Sequence, residues 1–481
     1  MNMNHPYDDF PHLLFSNNTA TATSTSSCVE QHDGISLDMD WDWDCDFHDL
    51  IESMMNDKGT TTESPPLLPC YHGQEGISSS TGLSMADELD HDVEAGESKG
   101  LRLVHLLVAA ADASTGADKT RELTRVLLAK LKDMTSPNDR TNMERLAAHF
   151  TNGLSKLHRE ANVQRQCGPH QHPDVYDQVD VMLAFQMLQN MSPYINFGYL
   201  TATQAILEAV KHERRIHIVD NDIKDGVQWP SLMQALVSGN TGLSAQHLRI
   251  TALSRATNGK KSVAAVQEAG RRLTAFAESI GQPFSYHHCR MDSDTFNPSS
   301  LKLVRGEAVV INCMLHLPRL SHQPPNSIIS FLSEAKTLNP KLVTLVHEEV
   351  GLVGNQGFLY RFLDLLHQFS AIFDSLEADP ARGFVERVIF GPWVSGWLTR
   401  IAVTADDAEV ESVASWPMWL ATNGFKPVEV SFANRCQAKL LLSLFNDGYG
   451  VEELGKNGLV LGWKSRRLVS ASFWASCESS E

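Results

Sequence analysis

The 481-residue chain lacks the features that mark several large classes of protein. No apolar run approaches the roughly 18–20 residues that a membrane-spanning helix needs, and no basic-plus-apolar signal sequence opens the chain. The eight cysteines are scattered, without a CxxC pair or a compact framework, which favours a reduced intracellular compartment. We therefore expect a soluble protein that is neither secreted nor membrane-spanning.

The loop after the first predicted strand has little of the glycine that nucleotide-binding loops require. Residues 216–229, IHIVDNDIKDGVQW, read as a strand, a loop and the start of a helix, which is where a doubly wound sheet binds its ligand. A phosphate-binding loop needs several glycines, but this loop has only Gly226. The sequence therefore argues against a nucleotide site.

Other catalytic signatures are missing as well. No GxSxG elbow appears, and the HEE sequence at 347–349 lacks the second histidine of a zinc protease. Asp220, Asp222 and Asp225 are potential Mg²⁺ ligands, yet no basic cluster stands beside them to hold a phosphate. We favour capping and packing roles for them, and predict no catalytic residue, no metal site and no cofactor.

An excess of positive charge is also absent. Residues 1–100 contain 20 Asp or Glu against Lys58 and Lys99, so they carry the whole net charge of −18 and the remainder is neutral. A neutral domain argues against a protein that wraps nucleic acid by charge alone. Two basic clusters, at 212–215 and 464–467, are too short to be identified as localisation signals.

Residues 1–99 are predicted to form a disordered acidic tail, because Ser/Thr tracts alternate with acidic patches and few apolar residues are available for a core. Within the tail, residues 37–51 alternate aspartate with bulky apolar residues. Repulsion among the carboxylates keeps Trp41, Trp43 and Phe47 in solvent, where they can dock on a partner. We interpret 37–51 as an activation segment; the alternative is a solubilising tail without a specific partner.

Amphipathic helices are predicted from Gly100 to about Arg214. The first contains an LxxLL sequence, whose leucines can enter a groove on another protein. The commoner alternative is that such leucines belong to the hydrophobic core. The candidate partner-binding residues are Leu103, Leu106, Leu107, Leu123 and Leu127.

From about residue 215 the pattern alternates strands with helices, which predicts an α/β fold with a mostly parallel, doubly wound sheet. Strands are predicted at 216–220, 248–253, 284–288, 308–315, 342–348, 427–431, 459–463 and 467–473. Helices are predicted at 227–238, 262–280, 326–338, 357–376, 407–423 and 434–445. The last two strands are spaced as a hairpin, so one edge strand is expected to be antiparallel.

Four ordered blocks in residues 100–481 resemble the plant GRAS family of transcriptional regulators. IHIVDNDIKDGVQWPSLMQAL (216–236) matches the family's VHIID block, although His217 and Asn221 are not its commonest choices. The motif residues are Ile216, His217, Ile218, Val219 and Asp220. The family's two leucine heptad regions are matched at about 101–191 and 232–280. Its PFYRE block is matched loosely by Pro340, 357–363 and 385–390. Its SAW block is matched by 416–419, 432–445 and 459–474.

The resemblance implies a sheet like that of S-adenosylmethionine methyltransferases, with a helical cap over about 100–214 and an α/β core over about 215–481. It implies a non-enzymatic regulator in the nucleus. The implied partners are another GRAS-family protein, in a homodimer or heterodimer, other transcription factors, and promoter DNA reached through them.

Phrases such as GVQWPSLMQAL and SFANRCQAKLLLSLFNDGYGVEELG are closest to one subtype of the family. That subtype implies roles in nodulation and mycorrhizal symbiosis and in control of strigolactone biosynthesis genes. Two alternatives stay open, a methyltransferase-like protein that binds or modifies a small molecule, and DNA binding by the chain alone.

Overall fold

The computed structural model describes residues 85–115, 118–137, 141–163, 176–239, 246–255, 259–291, 296–317, 325–350, 357–403 and 416–476. The predicted activation segment, with Trp41, Trp43 and Phe47, lies outside these residues. Most of the predicted helix at 407–423 lies outside them too, and its described part begins at Trp416.

One mixed sheet forms the centre of the described chain, with strand order β3-β2-β1-β4-β5-β9-β8-β7 and β6 paired with β9. Strands β1 to β5 run parallel, whereas β6 to β9 pair antiparallel. The strands are β1 (Arg215–Asp220), β2 (His247–Arg255), β3 (Phe284–Met291), β4 (Ala308–Met314), β5 (Leu342–Glu348), β6 (Phe425–Pro427), β7 (Tyr449–Leu454), β8 (Gly458–Trp463) and β9 (Arg466–Ser476).

The central parallel strands are buried on both faces, which explains their unbroken apolar runs. Every residue of β5 is buried, as is every residue of β1 after Arg215. Helices cover the two faces, so the predicted doubly wound α/β fold is confirmed. They are α1 (Met85–Thr115), α2 (Asp118–Met134), α3 (Asn142–Val163), α4 (Gln178–Met191), α5 (Pro193–Ala209), α6 (Trp229–Ser238), α7 (Gly259–Ile280), α8 (Pro325–Lys336), α9 (Phe358–Ser375), α10 (Arg382–Val385), α11 (Gly391–Val403), α12 (Trp416–Thr422) and α13 (Phe432–Leu442).

A helical layer packs beside the sheet, and two distant parts of the sequence build it. Helices α1, α3 and α4 contact α9 to α11, which follow β5 in the chain, and α2 packs on α1 and α3. Phe150 of α3 makes edge-to-face contacts with Phe362 and Phe369 of α9, and Phe369 also meets Trp393 of α11. The layer therefore contains residues 358–403 as well as helices of the predicted cap.

The structure differs from the expected elements at several points. The first helix begins at Met85, upstream of Gly100, where the sequence predicted order to begin. The antiparallel part is larger than one edge strand, because β9 lies beside β5 and is followed by β8 and β7. Strand β7 and the helices over 382–403 were not predicted, and the strand expected at 427–431 ends at Pro427.

Candidate functional site

Strand β1 ends at Asp220, at the edge of the parallel strands where an α/β sheet binds its ligand. Asp220 is buried, and both its carboxylate oxygens accept hydrogen bonds. The indole N–H of Trp229 donates to Oδ2 at 2.9 Å, and the backbone N–H of Asp222 donates to Oδ1 at 3.1 Å. Trp229 is fully buried and opens α6. Asp220 therefore binds its own loop to the start of the next helix.

The surroundings of Asp220 are desolvated and acidic. Burial raises the pKa of Asp220 to about 7, and the nearby Asp222 acts in the same direction against its hydrogen-bond donors. Burial also raises the pKa of the Tyr199 phenol well above its ordinary value, and the carboxylates of Asp225, Asp220 and Asp222 add to the effect. Such a site disfavours an anionic ligand such as a phosphate.

The loop after β1 does not fit the S-adenosylmethionine that the fold resemblance implies. Its own side chains pack against it, since Ile223 is buried and Lys224 reaches back to Asp222 at 3.3 Å. Gly226 has a φ of +77°, and a Cβ there would lie 3.1 Å from Leu273 of α7. The loop's single glycine therefore serves a turn and helix packing rather than close approach to a ligand.

A second polar network ties this loop to the neighbouring strands. The side-chain amide of Asn312 on β4 donates to Gln228 at 3.1 Å, and the hydroxyl of Thr344 on β5 donates to Asn312 Oδ1 at 2.8 Å. The backbone N–H of Asn221 donates to the carbonyl of Asn312 at 3.0 Å. The side-chain amide of Asn221 is buried with no hydrogen-bond partner in the described protein, which is the usual setting of an internal water.

The remaining motif residues of β1 are structural. Ile216, Ile218 and Val219 are fully buried. His217 Nε2 lies 2.8 Å from Thr251 Oγ1, and Nδ1 lies 3.2 Å from Glu307 Oε2. Burial lowers the pKa of His217 to about 4, so the imidazole is neutral at physiological pH. The block thus forms the centre of the sheet.

Metal-ligating side chains do not converge in the part of the chain that the structure describes, where no group of three His, Cys, Asp or Glu is placed to hold an ion. Cys167, His170 and His172, which share one short stretch of sequence, lie outside the described residues. None of the described helices is both long and apolar enough to cross a membrane.

The structure separates the five candidate partner-binding leucines. Leu103 and Leu107 are fully buried, because that face of α1 packs against the other helices of the layer. Both pack in the core of the layer, which is the commoner alternative for an LxxLL sequence. Leu106 and Leu127 are partly buried, whereas Leu123 is 51% exposed on α2 beside the exposed Val126.

Two further apolar surfaces were missed from the sequence. Phe432, Leu440 and Leu444 are exposed along α13 and just beyond its end, and Phe432 is 76% exposed. Their spacing of four or eight residues puts them on one helical face. A similar surface on α4 is formed by Val179, Met182 and Leu183. The four-residue spacing in FANRCQAKLLLSL was the available signal, but spacing alone does not say whether a face is covered.

The comparisons with known proteins agree with this architecture. The GRAS domain family model matches residues 103–475. The chain is 74% identical over 489 residues to Scarecrow-like protein 26 of Arabidopsis thaliana, covering 100% of both. It is 52% identical over 468 residues to Protein NODULATION SIGNALING PATHWAY 2 of Medicago truncatula, covering 91% of this chain and 89% of that one.

Among solved structures, SCL7 of Oryza sativa is similar with a TM-score of 0.61 and 29% identity, covering 77% of this chain and 99% of that one. The resemblance predicted from the VHIID and SAW blocks is thereby confirmed, including the similarity to the nodulation signalling subtype. The chain belongs to the GRAS domain family.

Proposed function

We propose that the chain regulates transcription in the nucleus through protein partners and catalyses no reaction. The proposal that the chain binds protein partners depends on one observation, the apolar surface of α2, where Leu123 and Val126 are more than half exposed. Exposed apolar side chains at helical spacing are typical of helix-mediated recognition. The carboxylate of Asp220 supports the absence of catalysis, since each of its oxygens already accepts a hydrogen bond from its own loop or the next helix.

The proposed partner is another GRAS-family protein, in a homodimer or a heterodimer, with other transcription factors joining the complex and promoter DNA reached through them. The biological setting proposed is root symbiosis, both nodulation and mycorrhiza, together with control of strigolactone biosynthesis genes. The support is the 52% identity to proteins named for nodulation signalling in Medicago truncatula and Lotus japonicus. Residues 37–51 are proposed to recruit transcription machinery through Trp41, Trp43 and Phe47.

Partner binding is tested with the double variant Leu123→Ser and Val126→Ser in the full chain. Fully burying one such side chain contributes about 1.5–3 kcal/mol, and half of that is still available here because the residues are half-exposed. The pair should therefore weaken co-precipitation of a GRAS partner at least about ten-fold. Val237→Ser, on an exposed face of α6, is the matched control. Equal co-precipitation by the double variant and the control would refute the role of α2.

The non-enzymatic assignment is tested separately by calorimetry with S-adenosylmethionine. We expect no heat of binding, because the loop after β1 has a single glycine and that glycine packs against Leu273. Micromolar affinity for that cofactor would favour the methyltransferase-like alternative. Deletion of residues 37–51 should lower reporter activation while the circular dichroism of the remaining chain stays unchanged, and undiminished activation would rule out the activation segment.

A further inference from the structure

Two basic clusters that look alike in the sequence have opposite surroundings. In the cluster 464–467 each cation has an acidic partner. Lys464 lies 2.9 Å from Asp374, Arg466 lies 2.6 Å from Asp364, and Arg467 lies 3.0 Å from Glu452. Each of these three cations is paired with a carboxylate of the fold, so the cluster offers little net positive charge to a ligand.

The cluster before β1 is different. Lys211, Arg214 and Arg215 are exposed, and their side chains have no hydrogen-bond or ion-pair partner within the described residues. Glu213 is the acidic residue among them, and its carboxylate is already bound by Lys341 at the start of β5. This segment therefore presents three free positive charges to solvent.

A second free segment, residues 302–305, precedes β4. Lys302 and Arg305 are exposed and also lack a side-chain partner within the described residues. Between them Leu303 is 43% exposed and Val304 is 48% exposed. Cations thus flank an apolar pair along four consecutive residues.

The loop that carries these residues is anchored to the sheet. Arg249 of β2 donates to the carbonyl of Leu301 at 2.7 Å and to that of Lys302 at 3.3 Å. The backbone N–H of Val304 donates to the carboxylate of Glu307 at 3.0 Å. Because these hydrogen bonds hold the loop at both ends, Leu303 and Val304 stay exposed instead of folding back onto the core.

The sheet brings the two segments together. Strands β1 and β4 are parallel neighbours, with Ile216 opposite Ala308, so the residues just before each strand lie side by side at one edge. Residues two apart in a strand share a face, so Arg215 points to the face of His217. His217 Nδ1 lies 3.2 Å from Glu307, which anchors the second segment. Arg215 therefore lies on the same side of this edge as residues 302–305, and Lys211 and Arg214 lie in the turn that leads into β1. We call this edge, with Lys211, Arg214, Arg215 and residues 302–305, the amino-edge patch.

We propose that the amino-edge patch docks an acidic segment of a partner protein in which aspartate or glutamate alternates with bulky apolar residues. The free cations match the carboxylates, and Leu303 with Val304 matches the apolar side chains between them. A nucleic-acid backbone supplies the negative charge but no aliphatic counterpart. This inference deepens the proposed function by adding a partner surface apart from α2, and direct binding to the purified chain tests it independently of transcription or of GRAS pairing.

The probe is a fluorescent peptide of about a dozen residues that alternates aspartate with leucine or tryptophan, titrated by anisotropy against the full chain at about 150 mM salt, where non-specific contacts weaken. We expect micromolar binding. The double variant Arg215→Gln and Arg305→Gln should weaken it about ten-fold, and Leu303→Ser about five-fold. Arg467→Gln removes a cation that is already paired, and should leave binding unchanged.

Two further probes identify the chemistry. A peptide with serine in place of its apolar residues keeps the same charge and should bind several-fold more weakly, and duplex DNA should compete poorly. Unchanged affinity in the double variant would overturn the proposal, as would equal binding of the serine peptide or of duplex DNA, which would make the patch a site for polyanions in general. All the substituted side chains are solvent-exposed, so we expect each variant to keep its fold. Circular dichroism of each variant checks this.

Discussion

Replacing Glu386 with leucine should destabilise the whole domain, because this carboxylate neutralises a buried arginine. Glu386 is fully buried in the π-helical turn between α10 and α11, and Arg145 of α3 is almost fully buried opposite it. Arg145 Nε donates to Glu386 Oε2 at 3.1 Å and to Oε1 at 3.3 Å. The other end of the guanidinium is bound by Glu377, which is 45% exposed.

The size of the loss in unfolding free energy depends on which charge is left without a partner. Removing one partner of a buried ion pair costs about 3–5 kcal/mol, because the remaining charge is desolvated without compensation. Glu377 still contacts Arg145 in the variant, so we expect Glu386→Leu to cost about 3 kcal/mol, the low end of that range. Glu377→Gln removes a half-exposed partner and should cost less than about 1 kcal/mol.

Equilibrium unfolding in urea, followed by tryptophan fluorescence, measures these differences. The double variant Arg145→Met and Glu386→Leu should be more stable than Glu386→Leu alone, because no unpaired charge is then buried. The reasoning is refuted if Glu386→Leu and Glu377→Gln cost the same, or if the double variant is no more stable than the single one.

Three further predictions concern buried groups and close packing. Burial raises the pKa of Asp220 from 3.8 to about 7. Between about pH 4 and pH 7 the folded chain therefore keeps a proton that the unfolded chain has lost. Because of this, Asp220 makes the free energy of unfolding fall as the pH rises from about 4 to about 7. Urea titrations should show that Asp220→Asn removes this contribution, and an unchanged pH slope would contradict it. Burial lowers the pKa of His149 from 6.5 to about 4, so stability present above pH 6.5 is lost as the pH falls towards 4, and His149→Gln should reduce that loss in acid unfolding curves. Gly270→Ala places a Cβ into the ring of Tyr286 and should cost about 1–3 kcal/mol. Gly450→Ala, on the exposed edge strand β7, meets no atom of the described residues within 4 Å and should change urea stability little. Equal effects would show that the ring moves aside freely.

Local sequence predicted the parallel strands well because each is a short run of apolar residues buried on both faces. The strand predicted at 342–348 is observed at those residues, and the one at 308–315 ends a residue earlier, at Met314. Strand β7 was missed because it lies at the sheet edge and carries exposed glutamates instead of a clear apolar pattern. The helices over 382–403 were missed where a π-helical turn and Gly391-Pro392 interrupt the usual helical periodicity.

The candidate site was predicted only in part. The scarcity of glycine after β1 indicated a scaffold loop, and the structure adds that Asp220 is bonded to Trp229. Helical periodicity identified the leucine-rich faces, but it could not tell Leu107, which is buried, from Leu123, which is exposed. A periodic pattern shows which residues share one face of a helix. It does not show whether another element covers that face, because that element comes from elsewhere in the chain.

The sequence by itself determined the family, the α/β class and the lack of a nucleotide loop, since these depend on residues that are close together in the chain. Tertiary structure alone decided which of two similar basic clusters is free. Arg466 is neutralised by Asp364, which lies 102 residues away, whereas Arg214 and Arg215 have no partner among the described residues. Charge pairing depends on distance in space, and the fold sets that distance between residues that the sequence keeps far apart.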